Sequence, residues 1–139
     1  MAIGEQDENK NLKLGLFVLR ITTGMFFLAW AIEKLFNPGH GVAISKKFYG
    51  LEISPEITLA IGVAQIAIIL LFMLGMYKKW TTGFLLAIHT VSVASTWQKL
   101  IFAYSAKGLL FWAAVPVWAG LLLLFLVRNQ DTMCSIHKK

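Results

Sequence analysis

The stretch that decides the fold is ITLAIGVAQIAIILLFMLGMY, then KK, then WTTGFLLAIHTVSVASTWQ, residues 57–98. Its first 21 residues, 57–77, carry no charge, and the 19 residues at 80–98 contain no Asp, Glu, Lys or Arg. Crossing roughly 30 Å of hydrocarbon takes about 20 helical residues. Two such runs separated only by Lys78-Lys79 predict a hairpin of two antiparallel membrane helices. Working outward, residues 14–36 form another apolar run, interrupted by Arg20 and by Glu33-Lys34. Residues 108–127 form a fourth, 20 residues long and uncharged. Membrane strands would be about ten residues of strict alternation, a pattern missing from these runs. The expected fold is all-α: an integral membrane four-helix bundle of antiparallel, up-down topology, forming one domain over residues 1–139.

Composition agrees. Apolar residues make up 58% of the 139 and charged residues 14%, against about 25% charged in soluble domains. Mean hydropathy is +0.68. A disordered chain is excluded, and so small a water-soluble fold could not cover this much apolar surface. The net charge of +6 would suggest nucleic acid in a soluble protein. Here the basic residues stand at the edges of apolar runs, where they anchor and orient helices. The expected partner is the lipid bilayer, with a protein partner or further copies of the chain, and no nucleic acid.

The N-terminal side of the membrane would carry Lys10, Lys13, Lys78, Lys79, Arg128, Lys138 and Lys139, seven residues, against Lys34, Lys46, Lys47, Lys99 and Lys107, five, opposite. This bias favours both termini in the cytoplasm of a multi-pass inner (plasma) membrane protein. The acidic start, with Glu5, Asp7 and Glu8, is unlike a secretory signal, so the first run reads as an uncleaved anchor. Cys134 is the single cysteine and forms neither an intrachain disulfide nor a cysteine metal site.

The connections are short except for residues 37–54, which open with Asn37-Pro38-Gly39, a helix stop and turn. Within them, residues 42–51 group Val42, Ala43, Phe48, Tyr49 and Leu51 around Lys46-Lys47. That pattern fits either a short interfacial helix or a polar loop. Ala60 with Ala64, and Gly83 with Ala87, are small-residue pairs that would let helices approach closely. Trp80 at one interface, and Trp97 and Tyr104 at the other, suit an aromatic belt. Pro116, in the middle of the fourth run, would bend its helix.

Charge inside lipid is costly and usually turns inward to a partner. Counted at 1.5 Å per residue, Arg20 lies roughly 12 Å deep, His89 roughly 13 Å and Gln65 roughly 16 Å. These three are the candidate headgroup pocket. The alternative is that Arg20 reaches out to the cytoplasmic surface while His89 ties helices together. At the opposite mouth, Glu33, Lys34 and Lys99 form the candidate substrate-binding set, with Glu33 and Lys99 at comparable depth. Ser92, Ser95 and Thr96 either line a polar path from His89 or bond their own backbone four residues back.

The sequence contains no phosphate-cradling glycine loop, no Cys pair and no His-Glu-x-x-His. One histidine within a run, His89, is too few for a bis-histidine haem. No Asp lies in any run to complete a Ser-His-Asp triad. His40, between Gly39 and Gly41, reads as a loop residue.

With these residues in view, the chain resembles the DoxX family of small four-helix membrane proteins. Leu19-Arg20-Ile21, Gly24, Phe26-Phe27 and Lys34-Leu35 resemble its opening pattern. Phe48-Tyr49-Gly50-Leu51 with Pro55 resembles its segment before the second helix, and Gly62, Leu70-Leu71 and Leu74-Gly75 resemble that helix. Gly108 with the Leu-rich run to Val127 resembles its fourth. Gln65 stands where the family often has Glu, and Glu33 where it commonly has Gly. The resemblance implies a setting of quinone-linked sulfur oxidation or redox-stress complexes. A subunit of that kind would bind a quinone or lipid headgroup near Arg20, Gln65 and His89, with Trp97 or Trp112 beside the ring and no covalent cofactor. The rival readings are a non-enzymatic assembly protein, whose polar residues serve helix packing, and a small-solute transporter.

Overall fold

The computed structural model describes residues 2–105 and 108–136. Lys107, His137, Lys138 and Lys139, which enter the charge and histidine arguments above, lie outside the described residues. The fold is all-helical, with no strand among the described residues. In chain order it comprises α1 (Ala2–Phe36), α2 (Pro38–Ile44) running on through a π-helical turn (Ser45–Tyr49), α3 (Pro55–Met73), α4 (Lys78–Ser95), α5 (Trp97–Ile101), a 3₁₀ segment (Leu109–Ala113) and α6 (Ala114–Leu126).

Three segments are long and apolar enough to cross a membrane: Gly4–Phe36, Pro55–Met73 and Leu109–Leu126. They correspond to the first, second and fourth predicted runs. α4 is not among them, because its 18 residues include Lys78, Lys79, three threonines, two serines and His89.

The helix boundaries have local causes. At α3, Pro55 occupies the first turn and the Ser54 side chain accepts from the Ile57 amide, satisfying one of the free N–H groups of the helix start. α3 stops at Met73 because Gly75 takes a left-handed φ of 68°. Met76 N–H then bonds back to Leu71 O at 2.9 Å, as in a glycine-terminated helix. The turn therefore lies at Leu74, Gly75, Met76 and Tyr77, and Lys78-Lys79 belong to the first turn of α4 rather than to the connection. α1 is 35 residues long, about 52 Å at 1.5 Å per residue. Its exposed N-terminal turns precede the first apolar run. The segment after Asn37 is helical, as the interfacial-helix reading expected, and is closed by Gly50 at φ 66°.

α1 packs on α3, α4 on α6, α1 on α6 and α3 on α4. The core where they meet is Leu16, Phe27 and Ala31 of α1, Ile69 and Phe72 of α3, Leu85 of α4, and Leu121 and Leu124 of α6. Large apolar side chains such as Val18, Met25, Ile61, Val63, Leu70, Phe84 and Leu123 face outward. An outer surface this apolar fits lipid tails and not water.

The close approaches fall at glycines, Gly83 of the predicted pairs among them, and not at the alanines of those pairs. Ala60, Ala64 and Ala87 are exposed. A Cβ at Gly62 would lie 3.1 Å from Lys34 Cβ and 3.2 Å from the Ala31 carbonyl oxygen, so α1 and α3 touch there. Gly83 faces Phe125, and Gly120 faces Leu19.

Pro116 lies in the middle of the apolar segment Leu109–Leu126, as the sequence reading placed it, and is the third residue of α6, directly after the 3₁₀ segment.

Candidate functional site

Arg20 is 1% exposed, and its polar contacts all belong to the tail that follows α6. Nη1 pairs with Asp131 Oδ2 at 2.5 Å. Nη2 donates to the carbonyls of Met133 at 2.8 Å and Cys134 at 3.0 Å. The Asp131 side chain is itself 4% exposed. Lys78 Nζ donates to the backbone carbonyl of the same Asp131. The tail is tied further to the α3–α4 turn: Ile136 N–H donates to Leu74 O at 2.9 Å, and Ser135 Oγ donates to Gly75 O at 3.3 Å.

The electrostatics are unbalanced. Arg20 and Lys78 converge with the N-terminus of α4, whose N-cap Tyr77 makes no side-chain capping bond. A helix N-terminus is itself partly positive. Only one carboxylate answers them. Arg20 Nε and Asp131 Oδ1 are buried without a hydrogen-bond partner. Lys78 precedes the apolar stretch at 80–98, and burial pulls its pKa below the ordinary lysine value. Asp131 raises it and Arg20 lowers it further, so the net direction is down.

His89 sits elsewhere in the bundle. It is 5% exposed, and its Nε2–H donates to Ala114 O, at the start of α6, at 2.9 Å. The rings of Phe26 and Phe27 stand edge-on to it at 6.1 and 5.3 Å. It thus links α4 to α6 and α1. Gln65 is half-buried on α3, and no hydrogen bond joins Arg20, Gln65 and His89. The hydroxyls of Ser92, Ser95 and Thr96 bond carbonyls four residues back, and Ser92 Oγ also meets Tyr49 Oη at 2.9 Å.

At the other mouth, Glu33 Oε1 meets His40 Nδ1 at 2.8 Å, so His40 clips α2 to the end of α1. Lys34 Nζ turns back to Trp30 O at 3.2 Å. Lys99 lies in the last turn of α5. Trp97 and Trp112 are half-exposed on separate segments. Trp112 Nε1 donates to Leu100 O at 3.0 Å, and its ring lines an apolar cleft of about 340 Å³ with Leu100, Ile101, Ala103, Tyr104 and Leu109. No group of His, Cys, Asp or Glu among the described residues could hold a metal ion.

The sequence reading missed Asp131, Lys78 and the tail carbonyls. A signal for Asp131 existed. In the up-down topology expected from the sequence, the acids at Arg20's end of the bundle would be Glu5, Asp7, Glu8 and Asp131. The first three lie on Arg20's own helix, at least 12 residues away, roughly 18 Å along its axis and beyond reach. Asp131 remains as the available counter-ion. Compared with known proteins, the chain matches no family model, no curated protein and no solved structure.

Proposed function

We propose that the chain is a DoxX-like multi-pass protein of the inner membrane that serves as an accessory or assembly subunit, its inward polar groups holding its own helices and tail together. In this reading α4 joins the three apolar segments as the fourth crossing of an antiparallel bundle, and both termini face the cytoplasm. The observation that carries it is the engagement of Arg20 by the tail, an ion pair at 2.5 Å with two carbonyl bonds. A cation so engaged is a fastener for helices rather than a receptor for a quinone carbonyl. His89, spent on the Ala114 carbonyl, supports the same reading.

One observation favours a ligand-binding subunit instead, namely the cleft beside Trp112. It is a shallow, half-open depression with aromatic and aliphatic walls, which would suit the edge of a quinone ring or a lipid chain. Native mass spectrometry of gently extracted protein, with identification of bound small molecules, separates the two. The subunit reading expects a stoichiometric protein partner or further copies of the chain, and no quinone. A co-purifying quinone, lost in Trp112→Ala, overturns it in favour of the quinone-binding reading of a membrane redox system.

A further inference from the structure

The cluster at Arg20 has more positive character than its one resident anion neutralises. Arg20 and Lys78 meet at the uncapped N-terminus of an 18-residue helix, and Asp131 supplies one carboxylate. Arg20 Nε is left buried without an acceptor. A phosphate group carries more acceptor oxygens than a carboxylate and suits the fork of an arginine. The resident anion arrives on a segment that is neither helix nor strand. The tail also holds Cys134 at φ 47°, a left-handed conformation unfavourable for a side-chain-bearing residue. The cluster adjoins the α3–α4 turn, where Lys79 lies over the Trp80 ring. Lysine and tryptophan gather at the level of lipid headgroups.

We propose that Arg20 and Lys78 form a binding site for a phosphate-bearing group, and that Asp131 of the chain's own tail occupies this site in the resting state as a competing internal ligand. The tail is then a plug that a phosphate displaces, exposing that end of the helices. The group comes either from a membrane phospholipid or from a soluble phosphate compound. This inference stands apart from the subunit reading, since the test below does not involve a partner.

Cys134 is the chain's single cysteine. It is exposed and lies in the plug, so a nitroxide attached to it reports tail mobility. The full chain is labelled in maltoside micelles without phosphate and titrated with inorganic phosphate or with phosphatidylglycerol. Expected is a rise in the mobile fraction with at least one probe. Asp131→Asn removes the competing charge, and its apparent affinity is expected to tighten at least about tenfold, by the reciprocal of the fraction of time the site is otherwise free. Gly75→Ala provides a second route should Asp131→Asn not fold. Its Cβ would lie 2.6 Å from Ser135 Oγ, and at φ 68° it strains the α3–α4 turn that holds the tail; the tail is loosened without altering any charge, and this variant too should tighten binding. Lys78→Gln should weaken the response in every background. A response to phosphatidylglycerol alone assigns a lipid headgroup; a response to free phosphate, with or without one to the lipid, assigns the phosphate group itself. Failure of both probes to bind Gly75→Ala and Asp131→Asn more tightly than the unmodified chain overturns the proposal, as does a Lys78→Gln response equal to that of the parent.

Discussion

Asp131→Ala is expected to destabilise the protein by about 3–5 kcal/mol, because it leaves a buried guanidinium without its counter-charge. Arg20 is 1% exposed and Asp131 is its one carboxylate, so neither solvent nor a second acid can take over. Arg20→Met should cost a similar amount by orphaning Asp131. The combined Arg20→Met, Asp131→Leu chain should recover most of that loss, since a buried ion pair replaced as a whole by apolar groups is often close to neutral. Unfolding free energies in mixed micelles for the four chains give the coupling directly. If the two single losses simply add in the double variant, the pair is not an energetic unit.

Gly62→Leu is expected to cost at least about 1–3 kcal/mol through overpacking. The first added carbon already lies 3.2 Å from a backbone oxygen of α1, at Ala31, and 3.1 Å from Lys34 Cβ. Backbone cannot step aside without moving the helix, so α1 and α3 must separate along their shared face. Gly24 is the internal control. A Cβ there meets Met73 Cγ and, at 2.8 Å, its Sδ, closer contacts than at Gly62 but made by an unbranched thioether that can change rotamer. Gly24→Ala should therefore cost less than about 1 kcal/mol. A larger loss for Gly24→Ala than for Gly62→Leu would show that distance, and not the stiffness of the neighbour, governs the effect.

The apolar runs were legible because hydrocarbon imposes a length and a composition on whatever crosses it. Residues 14–36 and 57–77 contain the cores of α1 and α3, and the end of the first run at Phe36 coincides with the end of α1. The N-terminal extension of α1 was not legible, because the polar helix formers between Glu5 and Lys13 carry no apolar period. The break at Thr96, which separates α4 from α5, and the 3₁₀ start of the last segment leave no mark on hydropathy. Depth counting put Arg20, Gln65 and His89 at a similar level and left open whether Arg20 turns inward; in the fold Arg20 and His89 are buried. It could not find their partners, because a partner in lipid need not come from another crossing. Arg20 is answered by a polar tail without periodicity, and His89 by a backbone carbonyl, a group that every residue possesses. Tyr49 and Phe48, within the link between the first two runs, reach Ser92 and Phe111 through contacts that only the folded chain brings together.

The pairing of Arg20 with Asp131 also sets an order of events during biosynthesis. Asp131 follows Arg20 by 111 positions in the chain, a delay of about 6–22 s at a synthesis rate of roughly 5–20 residues per second. Throughout that interval α1 holds a cation with no counter-ion of its own, a burden of about 2.5–3.5 kcal/mol at the centre of a membrane helix and less toward its ends. A nascent chain therefore has reason to keep α1 shallow, or against the insertion machinery, until its last turns emerge. A chain that stops before residue 131 keeps that charge without its carboxylate.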